Sequence, residues 1–170
     1  MWHGVTPRAA PRHLRNVEGS DAEVFEKYAE ELTRFAAGIV APSDAQDVVS
    51  GAFLRCMTSR GWRDVQDRRA YLYRSVLNEA RSHHRSVARR LQRESRAAER
   101  EGVGRGTPQP EVLQAVQRLS LRQRAVVFLT YWEDLGPASV AELLGISEGA
   151  VRRHLARARA RLKEVLDGQH

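Results

Sequence analysis

Ser139-Val-Ala-Glu-Leu-Leu-Gly-Ile-Ser-Glu-Gly-Ala-Val-Arg-Arg-His-Leu155 is the stretch on which the reading of this chain turns. Ala141 gives a first helix the small residue it needs to sit close to a second. Gly145 supplies the left-handed backbone that a tight turn demands and that a Cβ would penalise. Ile146 fills the space between the helices, and Ser147 is placed to accept a bond from the free amides opening the second. Val151, Leu155, Ala158 and Leu162 then share an inner face, so Arg152, Arg153, Ala156 and Arg157 point outward. From Glu148 to Lys163 six cations stand against one acid. A charge run alone usually marks a solvated face, but here turn, cap and apolar spacing agree. They describe a helix-turn-helix that offers its early residues to the major groove and the rest to phosphates.

Composition points the same way. The 170 residues carry a formal net charge of +7, almost all of it as arginine, since Lys27 and Lys163 are the only lysines. Such a balance favours a polyanionic partner, nucleic acid before membrane. Arginine's planar fork suits phosphate oxygens and guanine edges. Cys56 is the only cysteine, which excludes an intramolecular disulfide and fits a reducing cytoplasm. No apolar run approaches the roughly 20 residues of a membrane span. Residues 1–19 lack an apolar signal core and read as a loose tail. The expectation is a soluble, cytoplasmic protein with no membrane partner.

Helical periodicity dominates the rest. Ser20 with Glu23 forms a capping box, and Phe25, Tyr28, Leu32, Phe35 and Ile39 follow on one face. Pro42 breaks that helix, and Ser43 with Gln46 suggests a second box, opening a helix striped by Val48, Val49, Ala52, Phe53 and Cys56. Gly61 to Asp67 reads as a loop carrying Trp62. A long helix begins near Arg68, with Tyr71 or Leu72, Val76, Leu77 and Ala80 inward, and its pattern beyond Ser86 is polar. Gly102 to Pro110 is rich in breakers and reads as linker; no strand precedes its Gly-x-Gly, so it is no phosphate cradle. A short amphipathic helix spans Glu111 to Leu119. Ser120 and Gln123 form another box, Pro137 opens the next helix, and the last runs to about Leu166. The expected fold is all-α: residues 20–90 and 111–168 form two small helical domains, and residues 91–110 form a flexible linker. Charge divides unevenly between segments, with a net of −5 over residues 20–50 and +7 over residues 60–96.

Two stretches carry a family resemblance. Leu119-Ser-Leu-Arg-Gln-Arg-Ala-Val-Val-Phe-Leu129 and Leu143 to Arg159 resemble region 4 of an extracytoplasmic-function sigma factor of the sigma-70 family. That domain reads the −35 promoter element, which implies DNA contacts by Arg152, Arg153, His154 and Arg157, with Ser147 at the helix start. Ser43-Asp-Ala-Gln-Asp-Val-Val-Ser-Gly-Ala-Phe-Leu-Arg55 is similar to the family's core-binding helix, which docks on the largest polymerase subunits. Asp44, Asp47, Val48 and Phe53 are the residues so implied. Gln46 and Ser50-Gly51 depart from the family pattern, removing charge and placing a glycine mid-helix. Ala70-Tyr-Leu-Tyr-Arg-Ser-Val-Leu-Asn-Glu-Ala-Arg-Ser-His-His-Arg85 looks like the segment that melts and reads the −10 element. By that resemblance Trp62, Arg63, Tyr71, Arg74, Asn78, Arg81 and Arg85 would meet the opened strand, since unpaired bases stack on aromatic and Arg side chains. One or two of Tyr71, Leu72 and Tyr73 belong to the core.

The partners implied are core RNA polymerase and promoter DNA. An anti-sigma factor is a further partner class, which nothing in the sequence decides. No nucleophile–base set, phosphate-binding loop or metal signature is legible, so no enzyme, cofactor or metal is expected. His83 and His84 are adjacent and point in different directions. A free-standing helix-turn-helix regulator is the competing reading, and it leaves the core-binding and melting resemblances without a role. A third is a polymerase-associated protein that no longer melts DNA.

Overall fold

The computed structural model describes residues 20–98 and 115–167, and every regular element among them is helical. Helix α1 (Asp21–Ile39) is followed by a 3-10 turn (Pro42–Asp44), α2 (Ala45–Thr58), a second 3-10 turn (Trp62–Asp64) and the long α3 (Arg68–Ala98). In the second half residues 115–117 are helical, and then come α4 (Leu121–Tyr131), α5 (Pro137–Leu144) and α6 (Glu148–Asp167). Helix α3 passes eight residues beyond the boundary expected at 90. The remainder of the expected linker, the tail and the start of the Glu111–Leu119 helix lie outside the described residues.

Local chemistry explains most helix starts. Both capping boxes, Ser20 with Glu23 and Ser120 with Gln123, are made in full. The box expected at Ser43 is not. Pro42 has its φ preset for a first turn and starts a 3-10 winding one step early. Ser43 therefore falls inside that turn, and its hydroxyl donates to Asp44 Oδ1 at 3.2 Å. The inner stripe of α1 is Val24, Tyr28, Leu32, Phe35 and Ile39, whereas Phe25 is 42% exposed. Phe25 keeps one apolar contact at the rim, edge-on to Phe53 with ring centroids 4.7 Å apart.

The two halves do not stand apart. Val126, Leu129, Val140, Leu144 and Val151 belong to the same buried cluster as Leu32, Phe35, Tyr73 and Val76. Each half alone would have a thin core, and joining them removes more apolar surface from water. Phe128 of α4 lies edge-on to Phe35 at 6.0 Å. It fits there because Gly38 has no Cβ, which would run into the Phe128 ring. At the same seam Arg124 donates to three carbonyls: Leu119 at 3.1 Å, Gln117 at 2.9 Å and Ile39 at 2.8 Å. Ile39 ends α1, where carbonyls lack an intrahelical partner and the helix dipole favours a cation. A surface pair, Arg34 with Glu133 at 3.6 Å, also crosses the seam.

Replacing Arg124 by Met keeps the stem and removes all three donors. Chemical denaturation should then show a loss of about 1–3 kcal/mol, the usual cost of orphaning carbonyls that were bonded. Leu32→Ala, at a fully buried position, should cost more, about 2–5 kcal/mol by the same measurement.

Candidate nucleic-acid and polymerase interfaces

The helix-turn-helix is built as its residue types require. Ala141, Leu143 and Leu144 are buried on α5. Gly145 ends the helix at φ 63°, and its N–H reaches the carbonyls of Ala141 and Glu142. The Ile146 N–H also bonds Ala141 O, at 3.0 Å, and Ser147 Oγ accepts from the Ala150 N–H at 3.1 Å. On α6, Val151, Leu155 and Ala158 face inward. That register leaves Arg152, Arg153 and Arg157 exposed. Arg152 pairs with Glu148 one turn earlier at 3.0 Å, a surface contact worth little and readily exchanged for phosphate.

His154 is half-buried at the edge of this basic face. Its pKa is held below the ordinary histidine value, first by burial and then by the charges of Arg122, Arg157 and Arg153. Arg122 is thus a member of the basic face that the sequence reading missed. Its signal was its place in the first turn of the helix opened by Ser120.

On α3, Arg74, Asn78, Arg81 and Arg85 recur at four- and three-residue spacing and share one face. Asn78 and Arg85 are exposed, while Tyr71, Arg74 and Arg81 are half-buried. Arg74 is held at the helix-turn-helix itself: its Nη1 donates to the Glu142 carbonyl at 3.5 Å. Its Cδ lies 2.9 Å from where a Cβ on Gly145 would be. Glycine at 145 therefore answers both a backbone requirement and a close approach.

Trp62 departs from expectation. It is 2% exposed, and its indole N–H donates to Asp21 Oδ1 at 2.7 Å. The Arg68 guanidinium lies 4.8 Å over the ring. Trp62 fastens its turn to the start of α1 and presents nothing to a strand in this arrangement, whereas neighbouring Arg63 is exposed.

The expected core-binding set also divides. Val48 and Phe53 are buried, at 1% and 2% exposure, and hold α2 to the core rather than facing a partner. Asp47 is exposed. Asp44 is half-buried, its Oδ2 3.0 Å from His83 Nε2. The outward face of α2 instead runs Asp47, Ser50, Leu54 and Met57, of which Leu54 is 61% and Met57 44% exposed. Sequence reading missed Leu54 and Met57, although their offset from the inner stripe marks them as outward. Gly51 has a packing reason: a Cβ there would stand 3.2 Å from the Glu79 carboxylate, which pairs with Arg55 at 2.9 Å.

Comparison with known proteins agrees with this geometry. Residues 24–90 match the family model for sigma-70 region 2, and residues 110–162 match that for sigma-70 region 4. The RNA polymerase sigma-E factor of Streptomyces antibioticus is 32% identical over 154 residues, covering 85% of this chain and 83% of the relative. The chain belongs to the sigma-70 family, in its extracytoplasmic-function group. The sigma-E factor of Streptomyces coelicolor is 33% identical over 155 residues, covering 84% and 85% of the two chains. The extracytoplasmic-function sigma factor SigM of Mycobacterium tuberculosis is 42% identical over a shorter span of 55 residues, covering 32% of this chain and 28% of that relative. Among solved structures, the fold resembles the sigma factor RpoE of Bartonella quintana in complex with the anti-sigma factor NepR. The TM-score is 0.57 at 21% identity, covering 86% of this chain and 96% of the other. CnrH in complex with the cytosolic domain of CnrY gives 0.58 at 24% identity, covering 88% and 89%. As a sigma factor, the protein directs core RNA polymerase to promoters. No described helix is long and apolar enough to cross a membrane.

An NMR titration of the His154 ring should give a midpoint below that of an unperturbed histidine. Arg122→Ala should move it upward by removing one repelling charge. A midpoint at or above the ordinary value would contradict the placement of His154 beside the arginines.

Proposed function

We propose a division of labour among three surfaces. The outward face of α6 reads the −35 duplex through Arg152, Arg153 and Arg157, with Ser147 at the helix start and His154 and Arg122 at the flank. The α3 face of Tyr71, Arg74, Asn78, Arg81 and Arg85, with Arg63 beside it, receives the −10 strand. The α2 face of Asp47, Ser50, Leu54 and Met57 docks on core polymerase, with Asp44 at its edge. Residues 20–90 and 111–168 act as separate bodies once engaged.

The observation that carries this reading is the exposed arginine row on a helix fixed by the αL turn at Gly145. The contact of Arg74 with that same turn adds a condition. While it persists, the two DNA-reading faces cannot be set apart to meet elements at a distance, so loading on polymerase must undock the halves. Strand opening needs no nucleotide hydrolysis where bases captured on α3 offset lost stacking. The protein is then a dissociable subunit and no enzyme, working in the cytoplasm where polymerase supplies the chemistry. The resembling RpoE and CnrH structures are complexes with NepR and CnrY, so an anti-sigma factor that favours the docked arrangement is a further partner.

Run-off transcription with purified core polymerase and a promoter library tests this division. The protein should produce specific new transcripts. Arg152→Ala and Arg153→Ala should each weaken −35 duplex binding about tenfold or more, within the range of about 1–3 kcal/mol per good base contact. Leu54→Glu should abolish transcription while leaving duplex binding intact. Tight duplex binding without any polymerase-dependent transcript would instead favour a free-standing regulator.

A further inference from the structure

Between the docked halves lies a cleft of about 440 Å³. Helix α3 contributes Arg81 and His84, the segment leading into α4 contributes Arg118, the first turn of α4 contributes Arg122, and α6 contributes Arg161. Arg124 forms one wall, but all three of its bonds go to backbone carbonyls, so it is structural. Among the described residues, no carboxylate lines the cleft. The guanidinium groups of Arg81, Arg118 and Arg122 have no ion-pair partner among the described residues. Arg161 spends one donor on the Arg118 carbonyl at 3.2 Å. Like charges gathered from three elements around one concavity repel one another, and a bound anion relieves that cost more directly than solvent screening does. The first turn of α4 opens into the same cleft and contains no acid, so the helix dipole adds to the attraction.

We infer that this cleft binds a small ligand bearing a chain of phosphoryl groups, as a nucleoside triphosphate or inorganic polyphosphate does. Cleft size and charge density select that class. The volume falls in the ordinary range for small-ligand pockets, roughly 300–1,000 Å³. Arginine forks bind phosphate oxygens in pairs, and consecutive phosphoryl groups concentrate several charges in a short length. An extended acidic peptide spaces same-side carboxylates about 6.6 Å apart, too sparse for arginines crowded into one concavity. A duplex presents a broad convex surface, which does not fit inside a concavity of this volume. Because the lining comes from both halves, a bound polyphosphate ties them together and favours the docked arrangement. The inference rests on that docking and on the cleft, not on the promoter-reading roles proposed above.

The test is calorimetric titration of the full chain with sodium tripolyphosphate, orthophosphate, adenosine triphosphate and a hexaglutamate peptide. Buffer salt is held near 0.15 M, where surface charge is screened beyond about 8 Å. Tripolyphosphate or adenosine triphosphate should bind at least tenfold more tightly than orthophosphate, and the tighter of the two identifies the ligand source. Arg81→Gln and Arg118→Gln, one from each half, should each weaken binding about tenfold, as loss of a charge-assisted contact does. Arg60→Ala, exposed and outside the cleft, should bind as the parent does. Circular dichroism establishes that each variant is folded, and Arg118→Lys should recover part of the affinity. Saturating ligand should also raise Tm, since it binds only the docked, folded chain. Absence of binding at millimolar concentration would overturn the inference. So would equal weakening by Arg60→Ala, or Arg81-dependent binding of hexaglutamate that exceeds tripolyphosphate.

Discussion

Arg124 at the end of α1 is the contact on which the architecture depends. One guanidinium satisfies the Ile39 carbonyl, 85 residues away in sequence, together with two carbonyls of the turn leading into its own helix. Burial lowers its pKa from the ordinary arginine value, which lies far above any physiological pH, so the charge persists. Beside it, Phe128 occupies the room that Gly38 leaves against Phe35. A polar clamp and an apolar plug thus fix α4 on α1, while α5 is placed by its own packing on α3 and α6 by its packing on α4 and α5.

That docking sets what each surface can do. Helix α6 keeps its arginines in solvent because its inner face is used by Val151, Leu155 and Ala158. Helix α3 cannot be free to the same degree, since Arg74 reaches the turn at Gly145 and Arg81 lines the cleft. The α2 face of Leu54 and Met57 is exposed in the docked arrangement. On the function proposed above, polymerase binds first, on a surface that is exposed in the free chain, and α3 meets DNA afterwards. Across the seam the Arg124 clamp and the Phe128 plug are joined by the shared buried cluster and by Arg74 at the turn of Gly145, and this is the packing that undocking would have to offset.

What was legible in the sequence was local. Gly145, Ser147, Ser20 and Ser120 encode turns and caps through chemistry confined to four or five residues. The inner stripes of α2, α3 and α6 follow from spacing alone. Contacts made at long sequence separation were not legible. Trp62 sits in a polar loop that begins at Gly61 and by resemblance would meet the opened strand, yet Asp21 and Arg68 supply a hydrogen bond and a cation over its ring. Phe53 and Val48 matched a functional motif, but the same side chains are what holds that helix to its core. On α4, apolar residues run through 125–129, so periodicity could not say that Phe128 would leave its own half to meet Gly38. Ser43 failed for a subtler reason, because Pro42 starts a 3-10 turn that takes in Ser43 and leaves the α-helix to begin at Ala45.

The most direct measurement is energy transfer between dyes on cysteines introduced at Arg34 and Glu133, whose side chains meet across the seam at 3.6 Å. Cys56 is buried and its thiol pKa is raised by that burial, so it does not compete for the label. The account predicts high transfer in the free chain and a fall when core polymerase and promoter DNA are added together. Transfer already low in the free chain, or unchanged in a complex that is making transcript, would contradict it.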